Sequence, residues 1–237
     1  MNAIDVNSLS YRYPDGKIAL ENLTFQIADG EKVGLIGANG AGKSTLLLHL
    51  NGLLPERIAT LSPIRIFNTP ISEQNLFSIR EQVGLLFQDP DDQLFCSTVE
   101  EDVGFGPSQL GLSTSEIKQR VTDALQLAGV SGYEARAPHR LSRGEKRRVC
   151  LAGLLACQAK ILLLDEPTSD LDPRGRKELL TILQNLPTTQ LIASHDLDFI
   201  AKLCTRVIIL YRGKLVAIGE TNDILHNTMM LAENCLL

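Results

Sequence analysis

The sequence predicts an α/β fold: a mainly parallel sheet flanked by helices, an antiparallel β-region ahead of it, and a helical lobe inserted within it. Three observations carry this. Short apolar runs that read as buried strands alternate with segments of helical spacing, the pattern of a parallel sheet. Residues Ala3 to Ala28 hold short alternating or apolar runs broken by Pro14-Asp15-Gly16, a turn signal between antiparallel strands. Midway along the chain, Ser113 and Glu116 form a capping box, and Ile117, Val121, Ala124, Leu125 and Ala128 follow at helical spacing. The expected division is a nucleotide-binding core of residues 1–88 and 156–237 with the lobe at 89–155.

The 237 residues suit one large domain or one domain with an inserted lobe, and 44% hydrophobic residues are enough for a sizeable core. A formal net charge of −5 argues against general nucleic-acid binding, which needs a basic face. No apolar stretch reaches the roughly 18 residues that span a bilayer. The N-terminus lacks a basic-then-apolar signal region, so the expectation is a cytosolic chain, free or docked on a membrane partner. Five cysteines without a CxxC pair read most simply as reduced thiols.

Taken in order, Tyr11 and Tyr13 precede the first turn. Tyr13 is placed to stack on an adenine ring, and a strand aromatic packed on a sheet face explains it equally well. Val33–Ile36 reads as a buried strand. It leads into Gly37-Ala38-Asn39-Gly40-Ala41-Gly42-Lys43-Ser44-Thr45, and a helix follows as far as about Asn51-Gly52. Gly37, four intervening residues, then Gly42-Lys43-Ser44 fit the phosphate-binding loop between strand and helix. Its glycines allow close backbone approach, and the helix N-terminus aims N–H groups at a polyphosphate. Lys43 is expected to reach the β- and γ-phosphates and Ser44 to ligate Mg²⁺. Pro55 to Pro70 reads as irregular, with a short strand at Arg65–Phe67. Val83–Phe87 is a buried strand ending at Gln88.

A second lobe helix is expected from near Arg143 through Leu155. Ile161–Leu164 is an apolar strand that delivers Asp165 and Glu166. Asp172-Pro173 starts a helix. Gln190–Ser194 is a buried strand ending at His195, and Val207–Tyr211 with Leu215–Ile218 reads as a hairpin across Arg212-Gly213-Lys214. Asp165 is assigned to Mg²⁺ and Glu166 to the base that polarises the attacking water. Gln88 offers its amide oxygen to Mg²⁺ or to that water. His195 is placed to hold the water and Glu166, or to bond a γ-phosphate. Leu141-Ser142-Arg143-Gly144-Glu145 opens a helix. Ser142 there is either a cap or part of a second anion site.

These segments resemble, over nearly the full length, the ATP-binding cassette (ABC) ATPases. The Gly37–Thr45 loop resembles Walker A, Ile161–Glu166 Walker B with its catalytic Glu, and Ser169–Asp172 the D-loop. Gln88 matches the Q-loop, His195 the switch histidine and Tyr13 the adenine-stacking aromatic. Leu141–Glu145 resembles the signature, with Arg143 in place of its first glycine and Glu145 in place of its Gln. The resemblance implies ATP and Mg²⁺ as ligands and a head-to-tail pair of cassettes, the second being the same chain or a paralogue. In that pair Ser142 and Gly144 act on the partner's nucleotide. Phe87–Phe95 with Thr98–Val103 and Phe105–Pro107 resembles the ATPases of energy-coupling-factor and cobalt or nickel importers. This implies integral membrane transporter subunits as partners, a peripheral position on the cytoplasmic face of the cell membrane, and cobalt or nickel ions as cargo. A vitamin is the alternative, and a soluble single-cassette assembly or repair ATPase is the alternative of another class. The acidic residues Asp89, Asp91, Asp92, Glu100, Glu101 and Asp102 are expected either to pair with the membrane partner or to be a solvated loop and helix start. The little chain beyond Leu225 leaves small room for an extended C-terminal domain.

Overall fold

The computed structural model describes residues 1–56 and 62–236. β1 (Asn2–Arg12) and β2 (Ile18–Ala28) pair antiparallel across the Pro14–Gly16 turn. β3 (Lys32–Ile36) enters the glycine-rich loop and α1 (Lys43–Leu50) leaves it. β4 (Ile64–Ile66) and β5 (Thr69–Pro70) return to β1, giving a four-stranded sheet of order β2-β1-β4-β5. α2 (Leu76–Gln82) then runs into β6 (Val83–Leu86), and three helices follow: α3 (Val99–Gln109), α4 (Thr114–Leu127) and α5 (Arg143–Cys157). The chain re-enters the sheet at β7 (Ile161–Asp165). It continues through α6 (Pro173–Asn185), β8 (Thr189–Ala193), α7 (Leu197–Leu203), β9 (Arg206–Tyr211) and β10 (Lys214–Glu220) to α8 (Thr221–His226) and α9 (Thr228–Glu233). The larger sheet has the order β10-β9-β3-β8-β7-β6. β9, β3, β8, β7 and β6 are parallel, and only β10 runs antiparallel to its neighbour.

The central strands are buried on both faces, which is why they read as continuous apolar runs rather than alternating ones. Successive residues serve opposite cores. Leu35, Leu163 and Leu191 pack toward α1 and the antiparallel sheet. Ile36, Leu162, Leu164 and Ile192 pack with Leu179, Leu183, Phe199 and Ile200 of α6 and α7 on the other side. A third cluster joins α3, α4 and α5 through Val99, Val103, Val121, Leu125, Val149 and Ala152. α5 belongs to two clusters, because Cys150, Leu151 and Leu154 face the sheet while Val149, Ala152 and Ala156 face α3 and α4.

The expected α/β architecture is the one observed, and strand bounds agree to within two residues. Of the Pro55–Pro70 stretch, residues 57–61 lie outside the described residues, and the short strand is Ile64–Ile66. Helix α4 starts at the expected capping box, and α5 starts at Arg143 as expected. α3 is the departure. The sequence marks only an acidic start there, yet the helix continues through Gly104, Gly106 and Pro107. Glycine and proline disfavour a helix interior. The Thr98–Glu101 capping box nucleates it, and burial of Val99 and Val103 sustains it.

Asn51 caps α1 and its Nδ2 donates to the Val83 carbonyl at 2.7 Å inside the core, joining the loop helix to β6. Asn51→Ala is expected to lower stability by about 1–3 kcal/mol, measured by urea unfolding of the full chain.

Candidate active site

The glycine-rich loop sits where β3 ends, pressed between β2 and the β9–β10 hairpin. Gly37 lies so close to β9 that a Cβ there would stand 2.5 Å from the Leu210 carbonyl oxygen. Gly42 has φ of 107°, and its Cβ would meet the Ala19 carbonyl oxygen at 2.7 Å. Both positions therefore require glycine, one for space and one for space and conformation. The Gly213 N–H donates to the Ala41 carbonyl at 2.9 Å and fastens the loop's far side. Lys43 is buried, its Nζ donating to the Gly37 carbonyl at 2.7 Å and to the Ala38 carbonyl at 3.4 Å. The Tyr13 hydroxyl lies 2.9 Å from Thr45 Oγ1, which ties the aromatic ring to the loop.

A concavity of about 370 Å³ brings together Tyr13, Lys17, Ala19, Asn39, Gly40, Ala41, Gly42, Lys43, Ser44, Thr45, Gln88, Asp165 and Glu166. Gly37 stands behind it as packing and as the acceptor for Lys43. Asp165 is the last residue of β7 and is buried. Its Oδ1 has no hydrogen-bond partner among the described residues. Burial raises its pKa, the Ser44 hydroxyl opposes that, Glu166 adds to it, and Lys43 and Arg147 oppose it. A buried carboxyl oxygen without a donor beside a serine hydroxyl suits a cation.

Glu166 comes one residue after β7 with φ of 47°, a conformation that costs a non-glycine residue energy. Its backbone is held on both sides. Its N–H donates to the Ala193 carbonyl at 2.8 Å, and its carbonyl accepts from Arg147 Nη1 at 2.6 Å. Its carboxylate is buried, and Oε2 lies 2.8 Å from His195 Nδ1. The carboxylate accepts from His195 Nδ1, and Nε2 lies on the far side of the ring. His195 is itself largely exposed, at 71% of its side chain.

Ser142 and Gly144 are not in this concavity. They line a separate one of about 620 Å³, with Tyr133, Glu145, Leu171 and Asp172. Ser142 caps α5. It accepts the Glu145 N–H at 3.3 Å and donates its hydroxyl to Glu145 Oε2 at 2.8 Å. Glu145 in turn accepts from the Ser142 N–H and the Tyr133 hydroxyl, each at 2.8 Å. The Ser142 backbone and hydroxyl, then the Tyr133 hydroxyl, hold the Glu145 carboxyl below its ordinary range. Arg143 turns back over its own subunit, 3.4 Å from Asp89 and 3.7 Å from Asp170. Most of the acidic run is used inside the chain. Asp89 pairs with Arg143 and Asp91 with Lys146. Glu101 caps α3, and Asp102 accepts the N–H groups of Phe95 and Cys96. These four acids thus have partners within the chain, and the expected helix start is seen in Glu101 at the N-terminus of α3.

Sequence reasoning did not single out Arg147. This arginine is 3% exposed and donates to the carbonyls of both Gln88, at 2.8 Å, and Glu166. A signal was present. Arg147 stands one turn before Leu151, on the stripe of α5 that includes the sheet-facing Cys150 and Leu154, where an apolar residue is the rule.

A family model described as ABC transporter matches residues 20–169. An energy-coupling factor transporter ATP-binding protein, EcfA, of Methanothermobacter thermautotrophicus is 46% identical over 96% of this chain and 74% of its own. An EcfA of Carboxydothermus hydrogenoformans is 44% identical over 99% of this chain and 86% of its own. The solved structure of cbiO1 from Clostridium perfringens, described as part of the ABC transporter complex cbiONQ, superposes with a TM-score of 0.83. It is 36% identical and covers 98% of this chain and 94% of that one.

The Glu145 carboxylate stabilises the start of α5 only while ionised. Because its folded pKa is depressed, the contribution is full above the unfolded value and disappears as pH falls through the folded one. Glu145→Gln is expected to lower the unfolding midpoint at pH 7 by a few degrees at most, roughly what one lost charged cap is worth. In thermal scans the gap to wild type closes as the pH is lowered below the carboxylate range.

Proposed function

The chain belongs to the ABC transporter ATPases, and on that footing we propose that it is the ATP-hydrolysing subunit of an energy-coupling-factor type importer whose cargo is a cobalt or nickel ion. It is an ATPase whose hydrolysis is coupled to transport. The observation that carries the reading is the meeting of Lys43, Gln88, Asp165 and Glu166 in one concavity at the strand ends, with His195 bonded to Glu166.

Lys43 holds its ammonium on two loop carbonyls, from which it can turn to a polyphosphate as the stronger, charged acceptor. The loop N–H groups and the start of α1 bind the phosphates, and the Tyr13 ring stacks on the base. Ser44, Gln88 and Asp165 are the residues to hold Mg²⁺, for which the partnerless Asp165 Oδ1 is the fit. When bound, that ion neutralises phosphate charge. Glu166 takes the proton of the attacking water, and His195 keeps its carboxylate in place. Ser142 and Gly144 face a second concavity, so they serve a nucleotide on a second cassette, the same chain or a paralogue.

Beyond Gln88 the surface offers an apolar contact. Phe95 and Phe105 are 67% and 45% exposed, with ring centroids 5.0 Å apart. With Asp89, Asp91, Glu101 and Asp102 used within the chain, this aromatic surface is the docking face for the integral membrane subunits. Among the described residues no helix is long and apolar enough to cross a membrane, in keeping with a peripheral place on the cytoplasmic face. The choice of cobalt or nickel over a vitamin rests on overall similarity to that group.

Glu166→Gln is expected to retain ATP binding while turnover falls by about 10²–10⁴-fold; unchanged turnover would contradict the base assignment. Lys43→Ala is expected to weaken ATP binding by roughly 10- to 100-fold, the worth of a charged hydrogen bond, read by equilibrium titration. A tagged full chain extracted in mild detergent is expected to bring an integral membrane subunit with it, and vesicles carrying the complex to accumulate radioactive cobalt or nickel on ATP addition. Absence of a membrane subunit overturns the importer reading, and uptake of a vitamin in place of the metal overturns the cargo.

A further inference from the structure

α5 carries Arg143 and Arg147 one turn apart, and both reach the segments that follow β6 and β7. Arg147 Nη1 donates to the Glu166 carbonyl at 2.6 Å, and Nη2 donates to the Gln88 carbonyl at 2.8 Å. The same Nη2 stands 3.9 Å from Asp170 Oδ2. Arg143 Nη1 lies 3.7 Å from that oxygen, and its Nη2 lies 3.4 Å from Asp89. One buried guanidinium thus touches the backbone of two site residues and the carboxylate of the loop after Glu166.

Both carbonyls lie just past the end of a strand, where the sheet no longer supplies a regular partner and a buried acceptor needs a donor. Only a planar fork reaches both at once; an ammonium is a point donor. Docking of α5 does not need this arginine, because Cys150, Leu151 and Leu154 already pack the helix on the sheet. A buried cation is a poor way to attach a helix, since an apolar side chain in such a place is often neutral or stabilising. What the guanidinium does that an apolar residue cannot is set two backbone positions relative to each other. Glu166 needs this most, because its φ of 47° persists only where neighbours hold it.

We propose that Arg147 is a positioning residue for ATP hydrolysis, fixing Gln88 and Glu166 to each other and to the helix that begins with the signature. Asp170 steadies the guanidinium from its exposed side, and Arg143 shares the same Asp170 oxygen. Because Ser142 and Gly144 open the same helix, a shift of α5 on meeting a second cassette's nucleotide moves the Gln88 and Glu166 carbonyls with it. Arg143, which occupies the place of the first signature glycine, pairs with Asp89 and Asp170 of its own subunit and also lines the concavity of Ser142 and Gly144. The inference rests on the roles given above to Gln88 and Glu166.

The test uses the full chain with Arg147→Met, Arg147→Lys and, in parallel, Glu166→Gln. Arg147→Met is expected to lower turnover at saturating ATP by about tenfold or more, with KM for ATP within about threefold of wild type. Arg147→Lys, able to reach one carbonyl, is expected to recover part of the loss. Hydrogen exchange of the nucleotide-free chain is expected to rise together at residues 87–92 and 165–171 and to stay unchanged in β3 and β8. Unchanged turnover in Arg147→Met with Glu166→Gln inactive overturns this inference alone. Active Glu166→Gln overturns the reading beneath it. Exchange that rises only within α5, or evenly through the sheet, marks Arg147 as packing and also overturns the proposal. Should Arg147→Met not fold, the same turnover and exchange measurements on Arg147→Lys decide.

Discussion

Five parallel strands of the larger sheet finish at one edge, and the positions of the functional side chains follow from that constraint. β3 delivers the glycine-rich loop, β6 Gln88, β7 Asp165 and Glu166, and β8 His195. Parallel pairing puts the C-terminal ends of successive strands side by side, so residues more than a hundred positions apart meet with no further device. In register, Asp165 lies beside Ala193, two residues before His195, which is why the Glu166 carboxylate reaches the imidazole.

The edge is also where buried polar groups collect. Lys43, Asp165, Glu166 and Arg147 are all buried. Charges in such a place are costly unless paired. Lys43 and Arg147 donate to backbone carbonyls, and the Glu166 carboxylate accepts from His195. Asp165 is left with a partnerless oxygen and a raised pKa. The site therefore carries a local deficit that a divalent cation and a polyphosphate would relieve together. Ligand binding then does more than fill space, because it supplies the counter-charges that the apoprotein lacks.

α5 links this edge to the rest of the molecule. It shares one cluster with α3 and α4 and another with the sheet. Its first turn is capped by Ser142 and Glu145, and its second holds the strand-end carbonyls through Arg147. A helix is stiff over this length, so its two ends cannot shift independently. On the function proposed above, α5 is the mechanical path between the surface of Ser142 and Gly144 and the groups assigned to the attacking water.

Much of this was legible from residue order. The loop Gly37–Thr45 declares itself because glycine spacing, a basic residue and a helix start are local features. The strands before Gln88, Asp165 and His195 declare themselves because doubly buried strands are uninterrupted apolar runs. The α/β class follows from their alternation with helices. Helix α3 was not legible beyond its start, since Gly104, Gly106 and Pro107 oppose helix formation and only packing against α4 and α5 overrides them. Nor were the fates of Asp89, Asp91, Arg143 and Arg147, whose partners lie 19 to 59 residues away. Sequence alone determined which chemical groups the chain owns and which short elements carry them, because propensity and patterning act over a few residues. Tertiary structure decided which charges meet, since the rotation of α5 on the sheet is set by side-chain packing and no local pattern encodes it.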